Sequence, residues 1–150
     1  MSMAEFRPIH VTKDGSDTDG LAEFSNTDGL LLPNYNEKVQ AVSSSSGVLA
    51  IDVLSGNVVT TTLTENITDI DFTNVPTSGT CAITWIVTQD ASSAYTVAIN
   101  AVTVNGGGDV TALTAGAGGF DMTATLSKTD VVSILFVNAG TPYLNAVQEF

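Results

Sequence analysis

Between Thr80 and Asn100 the chain alternates more strictly than anywhere else, and that alternation limits what it can fold into. Cys81, Ile83, Trp85 and Val87 fall on one side of an extended segment, with Ala82, Thr84, Ile86 and Thr88 on the other. Tyr95, Val97 and Ile99 then alternate with Thr96, Ala98 and Asn100. A side-chain period of two belongs to a β-strand, and Gln89–Ser93 supplies turn residues, so the stretch reads as a β-hairpin. Its apolar face carries the one tryptophan of the chain. Burying an indole removes roughly 150–250 Å² of mostly apolar surface from water, which places this face at the centre of a core.

The same period recurs on both sides. Leu49, Ile51 and Val53 alternate with Val48, Ala50 and Asp52; Val59, Thr61 and Leu63 follow the Ser55-Gly56-Asn57 turn; Ile70 and Phe72 point opposite to Asp69 and Asp71. Beyond the hairpin come Val102–Val104, Val110–Leu113, Phe120–Leu126, Asp130–Val137 and Tyr143–Gln148, the first three separated by glycine-rich turns. Asp130–Val137 is apolar on both faces, the pattern of a central strand covered on both sides. Short strands with regular turn signals predict an all-β chain, specifically an antiparallel β-sandwich or jelly-roll-like domain over residues 47–150.

Residues 1–46 differ and read as an extended N-terminal attachment arm. They hold Arg7, Lys13 and Lys38, three of the four basic residues. Two Asp-Gly turns bracket Leu21–Phe24, and Leu30, Leu31 and Leu32 precede Pro33. Three consecutive leucines cannot share one side of a strand, so at least one is expected to contact another surface. Asn34 with Glu37 forms a capping-box pattern, and Tyr35, Val39 and Val42 share a helical face, predicting a helix of barely two turns over Asn34–Val42. Ser43–Gly47 reads as the joint. The residues expected to bind a partner are Phe6, Leu21, Phe24, Leu30, Leu31, Leu32, Tyr35 and Val39.

Composition narrows the chemistry. Sixteen acidic residues against four basic ones give a formal charge of −12, too few cations to neutralise a run of phosphates, so nucleic acid is not an expected partner. The apolar runs are shorter than the roughly 20 residues of a spanning helix, and the first residues lack the basic start and apolar centre of a signal peptide. No membrane partner is expected, and the protein is expected to be made in the cytoplasm. Cys81, the one cysteine, lies in the apolar row and reads as a buried, inert thiol. His10 is the one histidine, which removes triad and multi-histidine metal chemistry. Asp17, Asp19 and Gly20 imitate part of a calcium loop, but its first position is Gly15 and its twelfth Asn26, so plain turns are the better reading. Asp69 and Asp71 read as a solvated strand face in preference to a glycosidase pair. No catalytic residue, metal or cofactor is assigned.

The runs Gly56-Asn57-Val58-Val59-Thr60-Thr61-Thr62-Leu63-Thr64-Glu65-Asn66-Ile67-Thr68, Phe72-Thr73-Asn74-Val75-Pro76 and Ile86-Val87-Thr88-Gln89-Asp90 with Tyr95-Thr96-Val97 resemble a β domain of tailed-bacteriophage virion proteins, particularly tail-fibre-like and head-surface proteins. Gly15–Phe24 is similar to the opening of phage fibre and decoration proteins. The end of the chain departs from the pattern: Asn138-Ala139-Gly140-Thr141-Pro142-Tyr143 stands where the family often has a Gly-Gly-Thr-Thr-Trp-Tyr turn. The resemblance implies a non-enzymatic, homo-oligomeric virion component, with a trimer favoured. A capsid decoration (cement) or short head-fibre protein is expected, its arm docked on the major capsid protein or another virion protein. The competing expectation is a tail-fibre receptor-binding module whose loops near Gly106–Gly108 and Gly116–Gly119 contact host glycan.

Overall fold

The computed structural model describes residues 37–114 and 121–150. Its strands are β1 (Val39–Ala41), β2 (Val48–Asp52), β3 (Val58–Thr62), β4 (Asp69–Thr73), β5 (Thr80–Thr88), β6 (Val102–Val104), β7 (Leu113–Thr114), β8 (Thr129–Val137) and β9 (Tyr143–Val147). There is no helix among the described residues, and the fold is all-β. A six-stranded sheet has the order β1-β3-β5-β8-β9-β7, and a three-stranded sheet the order β2-β4-β6.

From β1 to β6 successive strands alternate between the two sheets, so the chain winds as a flattened coil in which each turn stacks on the last. Val39, Val58 and Thr84 are in register across β1, β3 and β5, and Leu49, Ile70 and Val102 across β2, β4 and β6. Stacking like residues buries them without a change of register: Leu49, Ile70 and Val102 are all 1% exposed or less. The antiparallel expectation is therefore corrected. Five of the seven named strand pairs are parallel, and only β5 with β8 and β8 with β9 run antiparallel.

The hairpin expected over Thr80–Asn100 is also replaced. Its first arm is β5, but both edges of β5 are occupied, by β3 on one side and β8 on the other. The second arm crosses toward the smaller sheet, where Val97 bridges Ile67 in parallel and the Ala98 N–H donates to the Ile67 carbonyl at 2.8 Å. The turn residues keep a role. The Gln89 side chain is buried and brackets Tyr95, accepting from its N–H at 2.9 Å and donating to its carbonyl at 2.7 Å, while also donating to the Thr123 carbonyl at 2.7 Å. Asp90 Oδ1 accepts from the Ser92 and Ser93 N–H groups, an Asx-type turn that aims the chain away from β5.

The helix expected over Asn34–Val42 is a strand where it is described. β1 pairs with β3, the Val58 N–H donating to the Lys38 carbonyl and the Val42 N–H to the Thr60 carbonyl. A two-turn helix carries the full nucleation cost for few hydrogen bonds, whereas a preformed β3 edge offers ladder partners at once. Gly56 makes this pairing possible. At φ +151° it lies so close to β1 that a Cβ there would stand 2.4 Å from the Lys38 carbonyl oxygen. Asn36–Phe150 form one compact unit, which includes β1 and the Ser43–Gly47 joint. The described part of the expected Phe120–Leu126 strand, from Asp121, is irregular. It is fixed by the buried Asp130, whose carboxylate accepts from the Thr123 N–H at 2.6 Å and the Glu149 N–H at 3.1 Å.

One apolar core lies between the sheets. Trp85 is fully buried at its centre, and Phe72 of the small sheet meets Phe136 of the large one edge to face, with ring centroids 4.9 Å apart. Cys81 is partly buried at the rim of this core, and burial raises its thiol pKa above the ordinary value.

Candidate assembly interface

A strand that buries every second residue turns the others outward, so the composition of the outward set decides what each sheet can meet. In the large sheet the outward residues line up in rows. Ala82, Leu135, Tyr143 and Leu113 form one row across β5, β8, β9 and β7. Val39, Val58, Thr84, Ser133 and Asn145 form the next. Ala41, Thr60, Ile86, Val131 and Val147 form a third. None carries a charge. Six of the nine large apolar residues that stand exposed among the described residues lie on this face: Val39, Leu113, Leu135, Val137, Tyr143 and Val147. Two shallow hollows interrupt it, one of about 320 Å³ between Ala82, Leu135 and Tyr143, the other of about 350 Å³ between Ala41, Thr60 and Ile86.

The small sheet is the opposite case. Asp69 and Asp71 on β4 and Asp52 on β2 face outward, and Asp109 accepts from the Thr103 hydroxyl of β6 at 3.1 Å. Asp69 Oδ1 is shut off from solvent and has no hydrogen-bond partner among the described residues. Burial first, then the charges of Asp71 and Asp109, raise the Asp69 pKa above the ordinary carboxylate value. Asp52 shifts the other way, chiefly because the Asn74 amide donates to it at 2.8 Å, aided by the Leu54 N–H at 3.0 Å. At one end of this sheet an open hollow of about 520 Å³ lies between Leu54, Thr73, Asn74, Val75, Thr77 and Asn105.

Of the residues expected to bind a partner, Val39 is the one described. It lies on β1, 59% exposed, at the margin of the uncharged face. Phe6, Leu21, Phe24, Leu30, Leu31, Leu32 and Tyr35 lie outside the described residues, as do His10, the Asp17–Gly20 turn and the Gly116–Gly119 loop. The face itself was not singled out by sequence reasoning. Its signal was the two-sided apolar pattern of β8, in which Val131, Leu135 and Val137 alternate with Val132, Ile134 and Phe136.

Comparison of the chain with protein families, with curated proteins and with solved structures returns no match in any of the three.

Proposed function

We propose that this protein is a non-enzymatic structural component of a tailed-phage virion, a capsid decoration (cement) or short head-fibre protein. In this reading it is homo-oligomeric, and the arm that precedes Asn36 grips the major capsid protein or another virion protein. The unit from Asn36 onward, which includes β1, then stands outward as a sandwich-like β domain. The observation that carries the reading is the division of charge between the two sheets: a broad uncharged face suited to permanent burial is backed by an acidic face suited to solvent. The resemblance of the Gly56–Thr68 and Thr88–Asp90 runs to phage virion β domains supplies the class of assembly.

Particles lacking the protein provide the test. Added protein is expected to bind them at a copy number matching the shell subunits, and a variant without residues 1–33 is expected to lose that binding. Retention of full occupancy by the shortened chain overturns the docking role of the arm. The second reading, a tail-fibre module that contacts host glycan, draws on the open hollow at Asn74, Thr77 and Asn105 beside the exposed Gly106–Gly108 loop. It requires few copies per particle, located on the tail.

A further inference from the structure

We infer that the uncharged outer face of the six-stranded sheet is covered by the same face of another copy of this chain. The inference rests on the reading of that face as an assembly surface and names what occupies it.

Three observations select a second copy. The first is charge. A chain of net charge −12 repels itself wherever carboxylates meet, and the outer face of the small sheet, with Asp52, Asp69 and Asp71, would set like charges against each other. The outer face of the large sheet brings none, so two copies can approach there without desolvating a charge. The second is size. Six strands about 4.8 Å apart, averaging five to six residues at about 3.3 Å each, span on the order of 500 Å² in projection. Side-chain relief adds to this, bringing it toward the roughly 800 Å² of accessible surface that each partner contributes to a standard specific interface. The third is strand chemistry. Both sheets contain parallel strands, but where β2 and β4 turn three carboxylates outward, β1, β3 and β5 turn none. One face of these strands packs on the core; the other presents valines, threonines and an isoleucine in register across the strands.

The row Ala82-Leu135-Tyr143-Leu113 is the centre of the contact. Leu135 and Tyr143 stand 41% and 51% exposed with a shallow hollow between them and Ala82, so a large side chain from the facing copy has a place to seat. An aromatic beside a hollow is the usual composition of an interface hot spot.

The test is the solution mass of the full chain by sedimentation equilibrium, at concentrations from below one to about a hundred micromolar. Leu135→Glu and Val147→Glu place a carboxylate at two separate points of the face, and Thr73→Glu adds the same charge to the outer face of the small sheet. The wild type is expected to sediment as two chains, as a same-face contact closes on a two-fold axis, and to tighten as salt screens the net charge. Leu135→Glu and Val147→Glu are each expected to raise the dissociation constant by roughly tenfold or more, the effect of burying one unpaired carboxylate. Thr73→Glu is expected to leave it unchanged. Far-UV circular dichroism and Trp85 emission report whether each variant is folded. A monomeric wild type overturns the inference, and so does an oligomer whose mass survives both face variants, whatever Thr73→Glu does. Particle binding is measured separately, so a chain that self-associates but binds no virion sinks the proposed function and leaves this inference standing.

Discussion

The indole N–H of Trp85 donates to the hydroxyl of Thr61 at 3.0 Å, both groups buried between the sheets. Thr61 stands two residues beyond Val59, the parallel partner of Trp85, so the bond runs diagonally between β3 and β5 and fixes their stagger. A threonine among core residues is explained by this one donor, which would otherwise be stranded.

Thr61→Val keeps the shape and removes the acceptor. The orphaned indole N–H is expected to cost about 1–3 kcal/mol of stability in urea unfolding, with little change in the slope of the transition. Trp85 is the one tryptophan, so its emission reports both the native burial and the loss of it.

Gly56→Ala is expected to release β1. The added methyl would stand 2.4 Å from the Lys38 carbonyl oxygen, and neither backbone segment can yield without breaking the ladder. Amide exchange at Val42 and Val58, which donate to Thr60 and Lys38, is expected to accelerate while exchange in β8 stays slow. Uniform acceleration across both sheets would show that β1 is not a separable unit.

Asp130→Ala removes the acceptor for the Thr123 and Glu149 N–H groups together. Two stranded donors at about 1–3 kcal/mol each set an expected loss of roughly 2–6 kcal/mol in denaturant unfolding. Asp130→Asn retains one carbonyl acceptor and is expected to fall between the variant and the wild type. Equal losses for both substitutions would assign the effect to the charge instead of to the two bonds.

The outward carboxylates of the small sheet are expected to give opposite pH signatures. The Asp69 pKa is raised in the folded state, so its ionisation opposes folding above that raised value, and the penalty disappears as pH falls to the ordinary carboxylate range. Asp69→Asn is therefore expected to raise the melting temperature at neutral pH and to lose that advantage on acidification. The Asp52 pKa is lowered, so its contribution is present above the ordinary carboxylate value and vanishes as pH falls through the lowered one. Asp52→Asn is expected to destabilise at neutral pH and to match the wild type in strong acid. Melting curves of both variants from neutral pH down to below pH 3 check the two signs.

Much of the strand content was legible in order. Val48–Asp52, Val58–Thr62, Asp69–Thr73 and Thr129–Val137 lie where side chains alternate, and their inward residues are the ones buried. Asp121–Leu126 failed because Asp130 and Gln89 hold its backbone through side-chain hydrogen bonds in place of a ladder. Val39–Ala41 failed because a helical face of three residues is a weaker constraint than a free edge on β3.

By itself the sequence determined that the chain is built of strands, which residues of each strand go inward, and that Asp130–Val137 would be apolar on both sides. Only the tertiary structure decided which strands pair, in which direction, and therefore which outward residues share a face. The physical reason is that the two-residue period is the same for parallel and antiparallel pairing. Direction depends on which edge is already occupied when the chain returns, as it is on both sides of β5. That choice gathers Leu135, Tyr143 and Leu113 into one uncharged row and leaves Asp52, Asp69 and Asp71 on the other sheet.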